Sequence, residues 1–528
     1  MVRYNRPTTT PRTSGPIRTT SNEPTLRTFE GAAGYKRDVL SELFLLACSN
    51  FVSQDTFYES GKLRDARYLE LIQEATKVDF DWVCRFVPWL RNNANMRTAA
   101  IILAVEAVRA KLAITKKNMT RDQRNRELIS SVLVRADEPG EMLAYYMAHY
   151  GRNVPRPIKR GIADAAGRLY TQRNVLKYDT ASKGWSFGGV IEFTGAVPQM
   201  PGGVGLFKYL VTKSRGRKEL VLPDYLTMLH ANATLRRDAA RHPELLLNTA
   251  RLRQAGMTWE DVLSLAGSKV NKRDLWRAII PEMGYMALLR NLRNFDEVGV
   301  AGDEYELIKQ KLMDPDEVAR SRQLPMRFLS AYRAVPSNRW AHALDVALQL
   351  SLQSIPELPG STLILIDTSG SMNSNFGKDT SLKLWDAAAI FGLALAERCE
   401  LAQVVAFSNR TMPFPSVRGE SLLKGLDRFR NGGYFMGQGT DTRGAVAQYA
   451  GQRNRIIILT DEQAMYGPNH DLFPTVSAKQ QIVTFNLAGY EAAQTWSSPN
   501  RVTVGGLSDA AFTLLGALDR RSDGQWPF

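Results

Sequence analysis

The sequence predicts a protein of two parts, an all-α helical solenoid followed by an α/β domain with a doubly wound parallel sheet. The chain has 528 residues, too many for a single core. Apolar residues recur at helical spacing as far as residue 354, and beyond residue 361 continuous apolar strands alternate with helices. We therefore expect a disordered basic tail at 1–25, the helical solenoid at 26–355 and the α/β domain at 356–528.

The solenoid is predicted from segments whose apolar residues are spaced i, i+3, i+4 and i+7. In one of them Thr258 stands at the N-cap, Asp261 at the capping-box position and Gly267 after the last turn. Short connections between paired helices favour a stacked array. The segments are Asp81–Asn92, Met96–Leu112, Glu219–Ala231, Arg241–Ala255, Trp259–Leu265, Asp274–Leu292 and Glu304–Leu312.

The α/β domain is predicted from apolar strands that alternate with helices, which is the pattern of a parallel sheet covered on both faces. We expect the sheet to carry a ligand site beyond the carboxyl ends of its strands, at the topological switch point. The strands are Thr362–Ile366, Gln403–Phe407, Arg455–Leu459 and Gln481–Leu487, and the helices are Leu382–Glu397 and Thr442–Tyr449.

Oxygen-bearing side chains stand where these strands end. Asp367 ends the first strand, and Ser369 and Ser371 follow it; Thr440 precedes a helix, and Asp461 ends the strand RIIILTD. Two carboxylates and three hydroxyls form a hard-oxygen set suited to a divalent cation, with Mg²⁺ the first choice. Helix capping or turn formation is the alternative role of Asp367 and Ser369.

No catalytic motif accompanies this set. The sequence contains no P-loop, HExxH or Ser-His-Asp order, and the one histidine of the C-terminal domain, His470, lies nine residues beyond Asp461. We therefore expect a ligand-bridging or structural metal and no enzymatic activity. A metal-dependent nuclease or phosphatase is the rival interpretation, which the lack of a second metal cluster disfavours.

Positive charge is concentrated in the helical part. The formal net charge is +15; residues 1–355 contain 53 Lys and Arg against 37 Asp and Glu, and residues 356–528 contain 15 against 16. Such asymmetry indicates a polyanionic partner, and nucleic acid is the first candidate. A charge that serves only solubility is the alternative.

Two basic stretches, at 152–183 and 213–218, are the candidate phosphate-binding surfaces. Either stretch alone is equally consistent with a solvated face. Tyr170 and Tyr178 could stack on bases or belong to the core. The candidate RNA-binding residues are Arg156, Lys159, Arg160, Arg168, Arg173, Lys177, Lys183, Lys213, Arg215, Arg217 and Lys218.

Cysteine content and hydropathy indicate the compartment. Cys48, Cys84 and Cys399 are scattered and form no CxxC pair, which argues for a reducing environment and against a disulfide framework or a zinc site. The chain has no apolar run long enough for a membrane span and no secretory signal. We expect a cytoplasmic monomer with no membrane partner.

Four segments carry a family resemblance. RAIIPEMGYMALLRNLRNFDEVGV at 277–300 and LMDPDEVARSRQLPMRFLSAYRAV at 312–335 resemble the TROVE module of the Ro autoantigen family, as do KRGIADAAG at 159–167 and KGWSFGGVIEF at 183–193. The resemblance, to a bacterial-type Ro ribonucleoprotein, implies a ring of HEAT-like helix pairs that binds RNA. It also implies a von Willebrand factor A domain, whose metal-ion-dependent adhesion site matches the five oxygen donors.

The resemblance further implies two classes of RNA. Small structured Y-type RNAs would lie on the outer surface, and misfolded RNAs would present single-stranded 3′ ends to the hole of the ring. An exoribonuclease such as polynucleotide phosphorylase would act alongside in RNA quality control. Several family members have a histidine after Gly-Trp-Ser, where this chain has Phe187, which could stack on a base. The alternative function is a protein-interaction scaffold with metal-bridged partners and no RNA.

Overall fold

The computed structural model describes residues 15–49, 52–115, 123–179, 184–216, 221–353, 355–375, 382–417, 419–465, 471–508, 510–512, 515 and 525–528. It confirms the predicted fold class, a helical array followed by an α/β domain.

The helical array runs from residue 39 to residue 350. Within the described ranges its helices are α1 Val39–Ser49, α2 Gly61–Val78, α3 Phe80–Asn92, α4 Arg97–Ile114, α5 Arg124–Val132, α6 Glu138–Tyr150, α7 Arg156–Leu169, α8 Gln172–Tyr178, α9 Phe187–Thr194, α10 Gly203–Ser214, α11 Thr227–Ala239, α12 Thr249–Gln254, α13 Trp259–Ala266, α14 Lys272–Ile279, α15 Tyr285–Glu297, α16 Asp303–Met313, α17 Pro315–Ser321, α18 Pro325–Ala334 and α19 Ala341–Leu350.

Prolines and caps explain where the helices depart from the predicted segments. The segment 274–292 was predicted as one helix and is two, because Pro281 interrupts the backbone ladder within a short 3₁₀ turn at Ile280–Glu282. The segment 241–255 divides where the Asn248 side chain caps α12. The Thr258 cap is confirmed, since its hydroxyl accepts from the Asp261 amide at 3.1 Å.

The α/β domain is a six-stranded sheet with helices on its faces. Its elements are β3 Leu358–Asp367, α20 Leu384–Arg398, β4 Cys399–Phe407, β5 Thr411–Phe414, α21 Leu422–Asn431, α22 Thr442–Tyr449, β6 Arg455–Thr460, β7 Gln481–Asn486 and β8 Arg501–Gly505. The strand order is β5-β4-β3-β6-β7-β8, and every pair is parallel except β4 with β5. The chain order reverses between β3 and β6, so the switch point lies where those two strands end.

The segment before α1 belongs to the α/β domain rather than to a tail. Residues 15–25 were expected to be disordered, but Ile17 is 2% exposed and the Thr19 amide donates to Ser497 Oγ at 3.0 Å. A short hairpin follows, formed by β1 Leu26–Arg27 and β2 Ala33–Gly34. These long-range contacts order the segment despite its polar composition. Residues 1–14 of the predicted tail lie outside the described residues.

The two ends of the helical array meet. Arg322, after α17, donates from Nη1 to Asn92 Oδ1 at the end of α3, at 3.0 Å. The α/β domain holds both ends: Arg333 on α18 pairs with Asp386 at 2.9 Å, and Arg64 on α2 donates to the carbonyl of Ala488. The helices therefore form a closed ring.

Candidate functional site

The five predicted oxygen donors lie together at the carboxyl edge of the sheet, at the switch point. Asp367 ends β3, Asp461 follows the neighbouring strand β6, and Thr440 stands in the loop before α22. The loops are joined by the Gly370 amide, which donates to the Gln438 carbonyl at 2.7 Å. All five side chains are buried, with at most 2% exposed.

Local hydrogen bonds fix the first strand end. The Ser369 amide donates to Asp367 Oδ1 at 2.9 Å, and the Thr460 hydroxyl donates to Asp367 Oδ2 at 2.6 Å. The hydroxyls of Ser369 and Ser371 lie 3.3 Å apart. The alternation of Asp, Ser and Ser brings the carboxylate and both hydroxyls to one side of the loop.

The unpaired atoms of the site fit a hard cation. Thr440 Oγ1 and Asp461 Oδ2 are buried and have no hydrogen-bond partner among the described residues. Burial raises the pKa of Asp367, and burial together with the charge of Asp367 raises the pKa of Asp461. A divalent ion would offset both charges and satisfy both oxygens.

The donor set is poor in charged ligands. Across the described ranges, no three His, Cys, Asp or Glu side chains cluster so as to hold a metal by themselves. The site instead combines two carboxylates with three hydroxyls, hard oxygen ligands that suit Mg²⁺, and the set includes neither the Cys nor the His ligands that zinc sites commonly use.

The closed ring encloses a cavity of about 1240 Å³. Side chains from residue 91 to residue 323 line it, so both halves of the array contribute. The acids of the lining are Asp137, Glu260, Glu282 and Glu317, and the more numerous basic residues are Arg91, Arg97, Arg135, Arg173, Lys177, Arg290, Lys311, Arg320 and Arg322.

Some of these basic residues form ion pairs with acids of the protein, and others form none among the described residues. Arg91 is buried against Glu138 at 2.8 Å, and Arg135 pairs with Asp137. Arg173, Lys177 and Arg290 are exposed and form no ion pair with any described acid. The lining also contains two half-buried aromatic side chains, Tyr178 and Trp259, whose faces are suited to stacking.

The candidate RNA-binding residues do not form one surface. Among the candidates that the structure describes, only Arg173 and Lys177 line the cavity. Arg156, Lys159 and Arg160 lie on α7; Arg156 and Arg160 are exposed, and Lys159 Nζ lies 4.4 Å from the centre of the Phe193 ring. Two others pair with acids: Lys213 with Asp179 at 3.6 Å and Arg215 with Glu192 at 2.7 Å. Lys183, Arg217 and Lys218 lie outside the described residues.

The structure gives two of the predicted residues local contacts. Arg168 is exposed, and its Nη2 donates to the carbonyls of Leu133 at 2.9 Å and Ser130 at 3.3 Å at the end of α5; its role in RNA binding stays a prediction. Phe187 is 2% exposed and stacks on the buried Tyr170 ring with centroids 3.8 Å apart. Phe187 therefore belongs to the core and has no free face for a base, and of the two alternatives for Tyr170 the structure supports the core.

Most of the cavity cations could not be found from the sequence. Arg91, Arg290 and Arg322 stand in three separate helical regions, each with ordinary charge density. Only closure of the ring brings them around one space. The available signal was the excess of Lys and Arg over Asp and Glu in residues 1–355 as a whole.

Comparison with known proteins identifies the helical part. Residues 250–339 match the TROVE domain. The Ro (RSR) protein of Deinococcus radiodurans has the same fold, with a TM-score of 0.59 over 92% of this chain and 99% of that one, at 17% identity. The chain carries a TROVE domain and has the Ro fold. The predicted resemblance to the Ro family is thereby confirmed.

Curated relatives match a short stretch of this chain. Telomerase protein component 1 of mouse is 40% identical over 80 residues, which are 15% of this chain and 3% of the relative. The rat protein of the same name is 40% identical over 77 residues, 14% of this chain and 3% of the relative. The matched part of the present chain thus spans a small fraction of these much longer proteins.

The residues that match the TROVE domain supply most of the cavity lining. Most of the cavity lining, from Leu252 to Gln323, falls within the matched range 250–339. A TROVE domain indicates an RNA-binding ribonucleoprotein. Within the described residues, no helix has both the length and the hydropathy needed to cross a membrane.

Proposed function

We propose that this protein binds RNA without cleaving it, and that its ring cavity takes a single-stranded RNA segment. The observation that carries the proposal is the cavity lining. Arg173, Lys177 and Arg290 are exposed there without acidic partners among the described residues, beside the half-buried Tyr178 and Trp259. Cations that track phosphates and aromatic faces that stack on bases are the two components of single-strand recognition.

Because the ring is closed, we expect its cavity to bind RNA that has a free single-stranded end. Because the array is closed by the contact of Arg322 with Asn92 and by the α/β domain, a strand reaches the cavity only by threading an end. Misfolded or partly degraded RNA with a single-stranded 3′ end is therefore the proposed cavity ligand; the 3′ polarity rests on the family resemblance.

The outer face of α7 is the proposed site for structured RNA of the Y type. Arg156 and Arg160 are exposed on this helix, with Lys159 between them in sequence. Contacts from these residues to phosphates would hold a folded RNA without reading its bases. An exoribonuclease such as polynucleotide phosphorylase would act on the threaded RNA in the cytoplasm, and this part of the proposal rests on the resemblance alone.

The oxygen site is proposed to hold Mg²⁺ through Ser369, Ser371 and Thr440, with Asp367 and Asp461 bound directly or through water. The bound ion would supply a Lewis acid that takes one further acidic oxygen. Three of the five proposed ligands are neutral hydroxyls, so the ion would stay a stronger Lewis acid than in an all-carboxylate site, which suits it to bridging a ligand.

A crossed pair of triple variants tests RNA binding. The cavity variant is Arg173→Ala/Lys177→Ala/Arg290→Ala, and the matched outer variant is Arg156→Ala/Lys159→Ala/Arg160→Ala. Fluorescence anisotropy would measure affinity for a single-stranded oligonucleotide and for a blunt structured hairpin over a range of salt. If every removed cation contacts a phosphate, the slope of log K against log salt falls by about 2 for the single strand and roughly 2–3 for the duplex.

Each variant is expected to weaken one RNA and spare the other. Equal losses for both RNAs in both variants would show that only net charge matters. Wild-type protein that binds neither RNA with a salt-dependent affinity would contradict the proposal and favour the protein scaffold.

A further inference from the structure

The hairpin before α1 lies across the metal site. The Thr28 hydroxyl donates to the Ala464 carbonyl at 2.7 Å, and the Phe29 amide donates to Gln463 Oε1 at 2.9 Å. Gly31 forms a β-bridge with Met465, whose amide donates to the Thr440 carbonyl at 2.9 Å. The tip of the hairpin is thus bonded to the loop that follows Asp461, and through Met465 it is linked to the loop that carries Thr440.

Glu30 is the side chain that this tip presents to the site. Its Oε1 accepts from the Tyr58 hydroxyl at 2.5 Å, and a methyl group added to Gly439 would come within 4.0 Å of its Oε2. Phe29 stacks on the Tyr58 ring, with centroids 4.7 Å apart and planes 2° from parallel, which fixes the hydroxyl that holds Glu30. The carboxylate is partly buried and pairs with no described cation.

The electrostatics of the site agree with this geometry. The charge of Glu30 contributes to the raised pKa of Asp367, after burial as the main cause. The pKa of Tyr58 is raised overall. Burial, the hydrogen bond to Glu30 and the charge of Asp461 raise it, and a hydrogen bond with Ser371 partly offsets them. An unpaired acid in this position would only add repulsion, unless a cation stands between the carboxylates.

We propose that Glu30 supplies, from within the chain, the acidic oxygen that faces the metal on the open side of the site. This inference rests on the proposed metal site. It implies that the site is closed by its own chain, and that a carboxylate or phosphate from a partner binds the metal only by displacing the hairpin tip. Tyr58 is then a positioning residue, since it reaches the metal only through Glu30.

Manganese binding to the full-length protein tests the proposal. Mn²⁺ would be titrated and free ion measured by electron paramagnetic resonance for wild type, Glu30→Gln and Glu23→Gln. Glu30→Gln keeps an oxygen that can accept from Tyr58 while it removes the charge, and exposed Glu23 in the same segment is the matched control. We expect Glu30→Gln to weaken binding by roughly 10–100-fold and Glu23→Gln to leave it unchanged.

A chemical rescue separates a facing oxygen from a distant charge. Glu30→Ala vacates the position, so sodium acetate should tighten Mn²⁺ binding to this variant and have no effect on wild type. Water-proton relaxation by the bound Mn²⁺ should rise in Glu30→Ala and fall again with acetate. Circular dichroism checks that each variant is folded.

The outcomes distinguish the two proposals. Wild-type protein that binds no Mn²⁺ would overturn the metal site and the role of Glu30 together. Tight binding that Asp367→Ala abolishes but Glu30→Gln leaves unchanged, with acetate acting on wild type, would overturn the role of Glu30 alone.

Discussion

The buried ion pair between Arg37 and Glu462 makes a strong prediction about the N-terminal segment. The two side chains are 1% and 0% exposed, and Arg37 Nη1 also donates to the carbonyls of Tyr490 and Glu491, both at 3.0 Å. Arg37 lies three residues after the end of β2, and Glu462 directly follows Asp461. The pair thus fastens the segment to the loop of the metal site, and Arg37→Met should release it.

The size of the effect follows from what the substitution leaves behind. Glu462 Oε1 has no hydrogen-bond partner among the described residues. After the substitution, Oε2 would keep only the hydrogen bond that the side-chain amide of Asn486 donates. Removing one partner of a buried ion pair costs about 3–5 kcal/mol because the other charge stays buried. Replacing Glu462 as well, in Arg37→Met/Glu462→Gln, removes that charge and should restore a large part of the loss.

Hydrogen exchange read by mass spectrometry is the appropriate assay, because it reports local opening in a chain too large for two-state unfolding. A loss of 3–5 kcal/mol corresponds to exchange of the amides in 26–37 that is about two to four orders of magnitude faster. Arg126→Met is the control, since Arg126 pairs with Asp164 at the surface. An exposed pair contributes about 0–1 kcal/mol, so this control should change exchange less than about tenfold.

Two results would refute this reasoning. Exchange in 26–37 that is as slow in Arg37→Met as in the control would mean that the ion pair does not hold the segment. Exchange that is as fast in the double variant as in the single one would mean that the loss comes from the missing arginine contacts and not from the stranded carboxylate.

The remaining predictions concern the site and the core. Asp367→Ala should abolish Mg²⁺ binding measured by calorimetry while circular dichroism shows intact helices, and undiminished binding would place the metal elsewhere. Purified protein should not shorten labelled RNA with or without Mg²⁺; cleavage that disappears in Asp461→Ala would promote the nuclease. Phe187→Ala should destabilise the ring by about 3–5 kcal/mol in its local opening, because it vacates a buried stack on Tyr170. A normal exchange rate around Tyr170 with weakened RNA binding would instead return Phe187 to the RNA interface.

The α/β domain was predictable because its signals are local. A buried strand such as β6 is a continuous apolar run, and the switch point fixes where Asp461 must lie once the strands are known. Strands β5 and β8 were missed, because one is short and carries Pro413 and the other follows a long connection.

The cavity and the hairpin were beyond sequence patterns for a different reason. Arg173 and Arg290 are separated by several helices, and their common cavity exists only because the array curves and closes. Glu30 lies more than 300 residues before Asp367 in a polar stretch whose composition is typical of a tail. Its ordering depends on tertiary contacts to residues 463–497, which no local propensity encodes.

The structural units therefore do not follow the order of the chain, because residues 15–37 precede the ring in sequence but belong to the α/β domain. A division at residue 355 would assign the segment 15–37 to the helical part, yet its hydrogen bonds run to Gln463, Tyr490 and Ser497 of the α/β domain. Cutting there would strand the buried Glu462 carboxylate without Arg37, at the cost of about 3–5 kcal/mol that breaking such a pair carries. Because the same segment leads directly into α1, a short stretch of chain that carries Arg37 joins the hairpin beside the metal site to the first helix of the ring.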